Sequence, residues 1–482
     1  MFNFILNQLV KINAVNKMTD EDVILQEIKN FKTSKIRKQM IDGERYFIGQ
    51  HDVLSRQRTV IGVDGELEIV NNLPNNRIVD NQYRKMVIQK CNYLLGQPFT
   101  IQTDSDDYLN QLKLLLNKKF MRPLMGIGED SLNCGIGFLF VMYDENGQFT
   151  LKRFRPWEVI PGWKDAEHTE LDYFIRIYEV IAYEGKAEKV VEKVEVYDNT
   201  GIHYFELSDG NLIPDGEIHK PYFTIEDQEY NWQKIPLIPF KYNSKEIPLI
   251  NMVKSLQDGL NIIESNFQNG MEEDARNTIL VLVNYDGENL GEFRKNLATY
   301  GAVKVRSVDG SQGDVKTLQI EVNSENYKAI LELFKKAIIE NAMGYDAKDD
   351  RMAGNPNQMN IQSMYSDIDL DANGMETEYQ ASFEDLLWFI NCHLSNIGKG
   401  DFDGENVEVI FNRDMMMNES EIINNINNSQ DLSLETRLAQ HPWVDDVQKE
   451  FERIEDEKQK NIEEYGIAFN PGVNIPEDAG DE

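Results

Sequence analysis

The chain has 482 residues, more than one ordinary hydrophobic core uses, so two or more domains are expected. Hydrophobic residues at 41% and aromatics at 10% exclude wholesale disorder. With 83 acidic against 49 basic residues the formal net charge is -34, which excludes a general, nonspecific nucleic-acid binder because such a surface repels phosphate.

The first residues, MFNFILNQLVKINAV, hold an apolar run too short and too soon interrupted by Asn and Lys to span a membrane, and no small-residue cleavage site follows. No other segment reaches membrane length. Cys91, Cys134 and Cys392 lie far apart and form neither a CxxC pair nor a disulfide framework, which fits a reducing compartment. The chain is therefore expected to be made and used in the cytoplasm, or in a particle assembled there. Glu21 to Ile48 has helical spacing in Ile24, Ile28, Phe31 and Ile36, with Lys35, Arg37 and Lys38 expected on a solvated face. An irregular segment then reaches a turn at Pro74, Asn75 and Asn76. The next helix starts near Val79 and stops at Gly96 and Pro98. Another runs from Asp106 to Leu116 behind a Ser105 cap, and one more begins near Arg122.

From Gly135 the period changes to two. Phe138 to Tyr143 and Gln148 to Phe154 read as a hairpin turning at Asp144 to Gly147. Further strands are expected at Tyr173 to Tyr183, Lys189 to Tyr197, Gly201 to Leu207 and Pro221 to Ile225, giving an antiparallel meander. Pro236 and Pro239 bar Ile235 to Phe240 from a central strand, so it reads as a connection.

A helix follows with Ile250, Val253, Leu256, Leu260, Ile263, Phe267 and Met271 on one face and a polar opposite face. Between Asn277 and Val322 a small α+β insert is expected, with strands at Thr278 to Val283 and around Leu318, and a helix from Leu290 to Tyr300 exposing Arg294 and Lys295. Helical spacing resumes behind Ser324 with Tyr327, Ile330, Phe334 and Ile338, ending near Gly344. Tyr345 to Asn357 is rich in Asp, Gly, Asn and Pro and reads as a loop. From Gln358 apolar spacing returns through Ile361, Ile368, Tyr379, Phe383, Ile390 and Leu394. Unbroken to Asn396, that helix is roughly 58 Å long. Beyond it come a strand at Val407 to Phe411, helices at Glu419–Asn427 and Ser433–Gln440, a charged helix from Asp445 to about Tyr465, and a loose acidic tail.

Motifs of catalysis are sparse. No Gly-x4-Gly-Lys-Ser/Thr loop cradles phosphate and no HExxH holds zinc. Gly126-Ile127-Gly128 is followed by Glu129 and Asp130, which repel a pyrophosphate. Asp367, Asp369, Asp371 and Glu378 match the offsets of a calcium loop, but Ala372 stands where that loop turns on Gly, and the apolar spacing favours continuous helix with a solvated acidic face. Asp165, Glu167, His168 and Glu170 form a conceivable acid/base set without a cleft to hold it.

The order of helix, insert, helix, polar loop and long helix, together with GNPNQMNIQSMYSDIDLDANGMETEYQASFEDLLWFI, resembles the portal proteins of tailed bacteriophages. The resemblance extends to DGERYFIGQHDVL, LPNNRIVDNQYRKMVIQKCNYLLGQPFTI and DLSLETRLAQHPWVDDVQKEFERIEDEK, and so covers most of the chain. It implies an α+β portal fold: residues 1–246 as an N-terminal wing region of helices and antiparallel sheet, 247–276 as a stem helix, 277–323 as the clip, and 324–344 as the second stem helix. Residues 345–357 would be the tunnel loop, 358–396 the long helix crossing the wing, and 397–482 the C-terminal wing and crown with its tail.

The implied assembly is a dodecameric ring at one capsid vertex. It would nucleate the procapsid with major capsid protein and scaffold, receive the terminase, pass double-stranded DNA inward and outward, and bind the head-completion adaptor that joins the tail. The implied chemistry is mechanical, with no catalytic residue, metal or cofactor in this chain and the ATPase in the terminase. The resemblance puts Lys348 and Arg351, with the amides of Asn355 and Asn357, beside the DNA, and partner docking on Arg294 and Lys295. Asp346, Asp349 and Asp350 interleave with the two cations, so their pull on DNA should be weak. A cytosolic multidomain enzyme is disfavoured by the missing nucleotide and metal motifs. Another virion structural protein, such as a capsid or adaptor protein, is disfavoured by the hairpin followed by a long helix.

Overall fold

The structure, a computed structural model, describes residues 20–61, 64–184, 187–225, 228–276, 279–283, 314–318, 324–348, 357–413, 419–429, 431–439, 441, 443–444 and 447–466. Helices α1 (Asp20–Thr33) and α2 (Lys35–Phe47) replace the single helical stretch expected from the spacing. Ser34 parts them: its hydroxyl accepts from the Arg37 amide at 3.0 Å and caps the second helix. A short hairpin, β1 (Thr59–Ile61) and β2 (Leu67–Ile69), occupies part of the expected irregular segment. Helix α3 (Gln82–Leu95) follows its Asn81 cap, then β3 (Thr100–Thr103) and α4 (Asp106–Leu115), which Ser105 caps as expected. Helix α5 (Lys118–Cys134) starts ahead of Arg122, from the side-chain cap of Asn117. Pro123 inside it lacks the amide that would reach back one turn, which disguises the start.

Strands β4 (Ile136–Tyr143) and β5 (Phe149–Phe154) form the expected hairpin. Strands β6 (Val159–Trp163), β7 (Leu171–Glu184), β8 (Ala187–Asp198), β9 (Gly201–Ser208) and β10 (Asn211–Lys220) make an antiparallel meander in the order β10-β9-β8-β7-β6. Strand β10 escapes sequence reading because Pro214, Asp215 and Gly216 look like a turn. They form an irregularity on an edge strand, where the ladder tolerates one. After the hairpin of β11 (Phe223–Ile225) and β12 (Gln228–Tyr230), β13 (Leu237–Lys241) pairs with β4, giving a second sheet in the order β13-β4-β5. The segment expected as a connection is thus a strand, but an edge strand, where Pro239 costs no ladder bond on its open side.

Alternation along the meander explains its two covers. Phe174 and Tyr197, paired across β7 and β8, stack at 4.1 Å and face Phe140 and Phe154 of the smaller sheet. Tyr173, Ile175, Ile177 and Val194 point the other way and receive Ile24 and Ile28 of α1.

The chain continues with α6 (Ile250–Arg276), the paired strands β14 (Ile279–Val283) and β15 (Asp314–Leu318), and α7 (Ser324–Asn341). Next come α8 (Gln358–Asn396), β16 (Val407–Ile410), α9 (Glu419–Asn428), α10 (Leu434–Ala439) and α11 (Val447–Gly466). Strand β3 is legible only through β16, its antiparallel partner near the other end of the chain. Helix α8 has 39 residues, as its spacing predicts. Met375, Tyr379, Phe383 and Leu387, one turn apart, enter the largest core with Met86 of α3, Leu124 of α5 and Phe240 of β13.

Two compact units result. One comprises Met1–Asp346 with Asp367–Asp414, and the other Ala347–Ser366 with Met415–Glu482. The first contains the five-stranded and three-stranded sheets and the α6/α7 pair. The second contains α9, α10 and α11.

Candidate functional site: a helical pair, its strap and its root

Helices α6 and α7 pack side by side because each carries an apolar stripe. Phe267 and Tyr327 meet with ring centroids 4.9 Å apart, and Val253, Leu260 and Ile338 are fully buried at the lower end. Gly259 is required at the crossing, since a Cβ there would lie 2.5 Å from the Phe334 ring. The stripe of α7 differs in one position from expectation. Ile330 is 41% exposed, and the neighbouring Leu331 packs against the core in its place.

The polar face of α6 is largely buried. Gln257, Asn261, Ser265 and Asn269, four residues apart, are at most 1% exposed. They hold the segment leading into α3. The amides of Asn76, Ile78 and Asp80 donate to Asn269 Oδ1 at 2.7 Å, Ser265 Oγ at 3.0 Å and Asn261 Oδ1 at 3.1 Å. The Tyr83 amide donates to Gln257 Oε1 at 3.0 Å, and Gln257 Nε2 donates to the Asp80 carbonyl at 2.7 Å. The match is metrical. Two residues of near-extended chain advance about 6.6 Å and four residues of helix about 6 Å, so alternate amides meet successive turns. A segment without a strand partner thereby satisfies its backbone along a helix. Lys335 of α7 adds an ion pair to Asp80 at 2.7 Å.

At the root of the pair, buried Lys90 of α3 joins three elements. Its ammonium donates to the Met343 carbonyl at 3.0 Å and to Asp371 Oδ2 of α8 at 2.7 Å, and the Tyr242 hydroxyl donates to the same carboxylate at 2.9 Å. Burial lowers the Lys90 pKa, against the pull of Asp371, and burial with that carboxylate pushes the Tyr242 phenol well up. Gln89 clamps Tyr345 at both backbone groups, accepting from its amide at 3.1 Å and donating to its carbonyl at 2.9 Å. Gly344 makes room: a Cβ there would lie 2.7 Å from Met86 Sδ. The left-handed residue at this bend is Met343, with φ 50°. The loop therefore leaves a rigid anchor.

The acidic stretch of α8 is continuous helix, and helical rotation splits it between two cations. Asp371 turns to Lys90, while Asp369, Asn373 and Glu376 all receive the guanidinium of Arg413. The face expected in solvent is thus partly neutralised inside the protein. Among the described residues no group of three or more His, Cys, Asp or Glu is arranged to hold a metal ion. Gly126 and Gly128 sit inside α5, with Arg153 over the first and Cys91 and Leu95 over the second, so their spacing serves packing. Asp165 accepts from the amides of Glu167, Thr169 and Glu170 and closes its own loop, while His168 Nδ1 lies 2.7 Å from Glu246 Oε1.

Of the residues expected at the DNA channel, Lys348 is exposed just after the anchored root. Asn357 is exposed too, but its side-chain oxygen is committed, accepting from the Asn360 amide at 2.8 Å to cap α8. Arg351 and Asn355 lie outside the described residues, as do Arg294, Lys295 and the helix expected to carry them. The strap ladder and the Lys90 junction had no signal in the sequence beyond the four-residue recurrence of Gln257, Asn261, Ser265 and Asn269.

Residues 27–464 match the family described as phage portal protein, SPP1 Gp6-like. The portal protein of Bacillus phage SPP1 is 28% identical over 469 residues, covering 96% of this chain and 91% of the relative. That of Clostridium phage phiCD119 is 27% identical over 450 residues, covering 90% of this chain and 96% of the relative. Among solved structures, a chain from the neck of a native GTA particle, computed with C12 symmetry, is similar at TM-score 0.41 and 13% identity, covering 75% of this chain and 89% of that one. A chain from the neck of an empty GTA particle, computed with C6 symmetry, gives TM-score 0.43 and 14% identity with the same coverage.

Proposed function

Because the chain belongs to the phage portal family of the SPP1 Gp6-like type, we propose that it works as the closed ring at the capsid vertex through which double-stranded DNA is packaged and ejected. The structural observation supporting this reading is the α6/α7 pair. Two helices are too thin to bury both sides of their apolar surface, and Ile262, Ile330 and Leu333 remain exposed, Leu333 at 64%. Neighbouring copies would cover them. In this reading α6 and α7 are the stem, the insert carrying β14 and β15 is the clip, the loop leaving Tyr345 is the tunnel loop, and α8 crosses the wing.

The part played is structural. DNA is moved by a partner ATPase, the terminase, and scaffold, capsid protein and head-completion adaptor dock on the ring in the virion and its precursor. Among the described residues no helix is long and apolar enough to cross a membrane. Negative-stain imaging and native mass spectrometry of the purified chain test the ring. Particles with a central hole, twelvefold in mass, are expected; a monomer at high concentration and again in particles overturns the reading.

Lys348 and Arg351 would touch passing phosphates lightly, since such contacts carry no base information. Replacing both with Ala is expected to leave the ring intact and alter the retention or packaged length of DNA; unchanged packaging and retention rule the contact out. Arg294→Glu with Lys295→Glu is expected to weaken terminase or adaptor binding on intact rings, and unchanged binding places the partners elsewhere.

A further inference from the structure

The portal reading leaves unused a cleft of about 560 Å³ walled by the β11/β12 hairpin, the last turns of α8 and the loop after it. Phe223, Tyr230, Trp232 and Trp388 supply aromatic surface, and Asp401 and Asp403 stand on the loop side. Among the described residues the lining contains no lysine, arginine or histidine, and Asp401 Oδ1 accepts from the Asp403 amide at 3.2 Å. The back of the cleft is rigid: Trp232 is buried, stacks on Tyr143 at 5.7 Å, and meets Phe223 and Phe389 edge-on at 5.2 Å. Its mouth is open, with Ile225 51% and Tyr230 41% exposed. Lys234 Nζ lies 5.1 Å from the Trp388 ring centroid and pairs with Asp385, so one cation already stands beside this indole.

We propose that this cleft is a peptide-docking site for a partner protein, taking an arginine flanked by apolar residues. Three features converge on that ligand. Exposed apolar and aromatic surface takes the aliphatic stem and flanking side chains. Arginine stacks on indole and phenol faces at a smaller hydration cost than lysine. Asp401 and Asp403 offer carboxylates for its guanidinium. A nucleic-acid strand, the other natural guest of an aromatic surface, is opposed here by the same two carboxylates.

Cys392 gives a direct readout. It lines the cleft, whereas Cys91 and Cys134 are buried, so alkylation at the cleft can be followed site by site. In the full-length protein, the rate of Cys392 alkylation is measured by mass spectrometry with acetyl-Leu-Arg-Leu-amide, with the same peptide carrying neutral citrulline, and with a short oligothymidylate. The arginine peptide is expected to slow alkylation about tenfold or more at saturation, and the citrulline peptide to need about tenfold more concentration for the same protection.

Trp388→Leu and the double variant Asp401→Asn, Asp403→Asn should each weaken protection, compared with and without peptide because Asp403 itself raises the Cys392 pKa, after burial. Asp401 and Asp403 are exposed, whereas Trp388 is half-buried against the core, so each variant's melting temperature checks its fold. No protection, equal protection by citrulline and arginine, protection by the oligonucleotide, or undiminished protection in folded variants overturns the proposal.

Discussion

Lys90 shows how much one buried charge can organise. It is 3% exposed and ties α3 to the end of α7 and to α8. Lys90→Met removes the ammonium and leaves the Asp371 carboxylate with the Tyr242 hydroxyl alone, a loss expected to reach about 3–5 kcal/mol. Adding Asp371→Asn should restore much of it, which a double-mutant cycle in chemical denaturation will measure; equal destabilisation in the single and double variants would place the cost in lost packing. Asp130 is a different case. Arg153 Nε lies 3.0 Å from its Oδ2 but off the hydrogen-bond axis, so burial prevails and the carboxyl is pushed up to about 8. The folded chain thus holds a proton that the unfolded chain releases at its ordinary value of 3.8, and stability falls as pH rises between about 4 and 8. Asp130→Asn should flatten that slope, raising the melting temperature at about pH 8 relative to the parent more than at about pH 5.

At the scale of elements, the strap on α6 is the part most open to test. Ser265→Ala leaves the Ile78 amide buried without its acceptor, at an expected cost of about 1–3 kcal/mol. Amide exchange at Ile78 and its neighbours should quicken while the α6/α7 contacts stay protected. Exchange unchanged at Ile78 would show that water replaces the hydroxyl. Legibility divides here along a physical line. The apolar stripe of α6 announces a helix because burial of Val253 and Leu260 follows from their side chains alone. The opposite stripe, Gln257 to Asn269, looks identical to a solvent face, since a polar side chain does not reveal whether water or a distant backbone amide satisfies it. Strand β10 and the edge strand β13 were hidden for a related reason: proline is excluded from a ladder only where its missing amide would be used.

At the scale of the whole molecule, exposed apolar groups on the helical pair carry the expectation of assembly. Ile330→Glu with Leu333→Glu should change subunit stability by no more than about 0.5 kcal/mol, because both side chains already meet solvent in the single chain. The same pair should shift native mass spectra from rings toward monomers, as charge enters the contact between neighbours. Rings of unaltered mass and salt resistance would place the subunit contact on another face.

The sequence by itself determined the order of elements from α7 through α11, the unbroken length of α8 and, through long stretches of similarity, the family. These are local properties, since periodicity, caps and turns are written within a few residues of where they act. Tertiary structure alone decided that β4 to β10 and β13 divide into a five-stranded and a three-stranded sheet, that β3 finds β16, and that the acids of α8 answer to Lys90 and Arg413. It also decided that a polar helix face serves as the partner of an unpaired strap. Each of these depends on a residue's distant neighbour, and the same aspartate or asparagine is a solvated surface group or a buried connector according to what the fold brings against it.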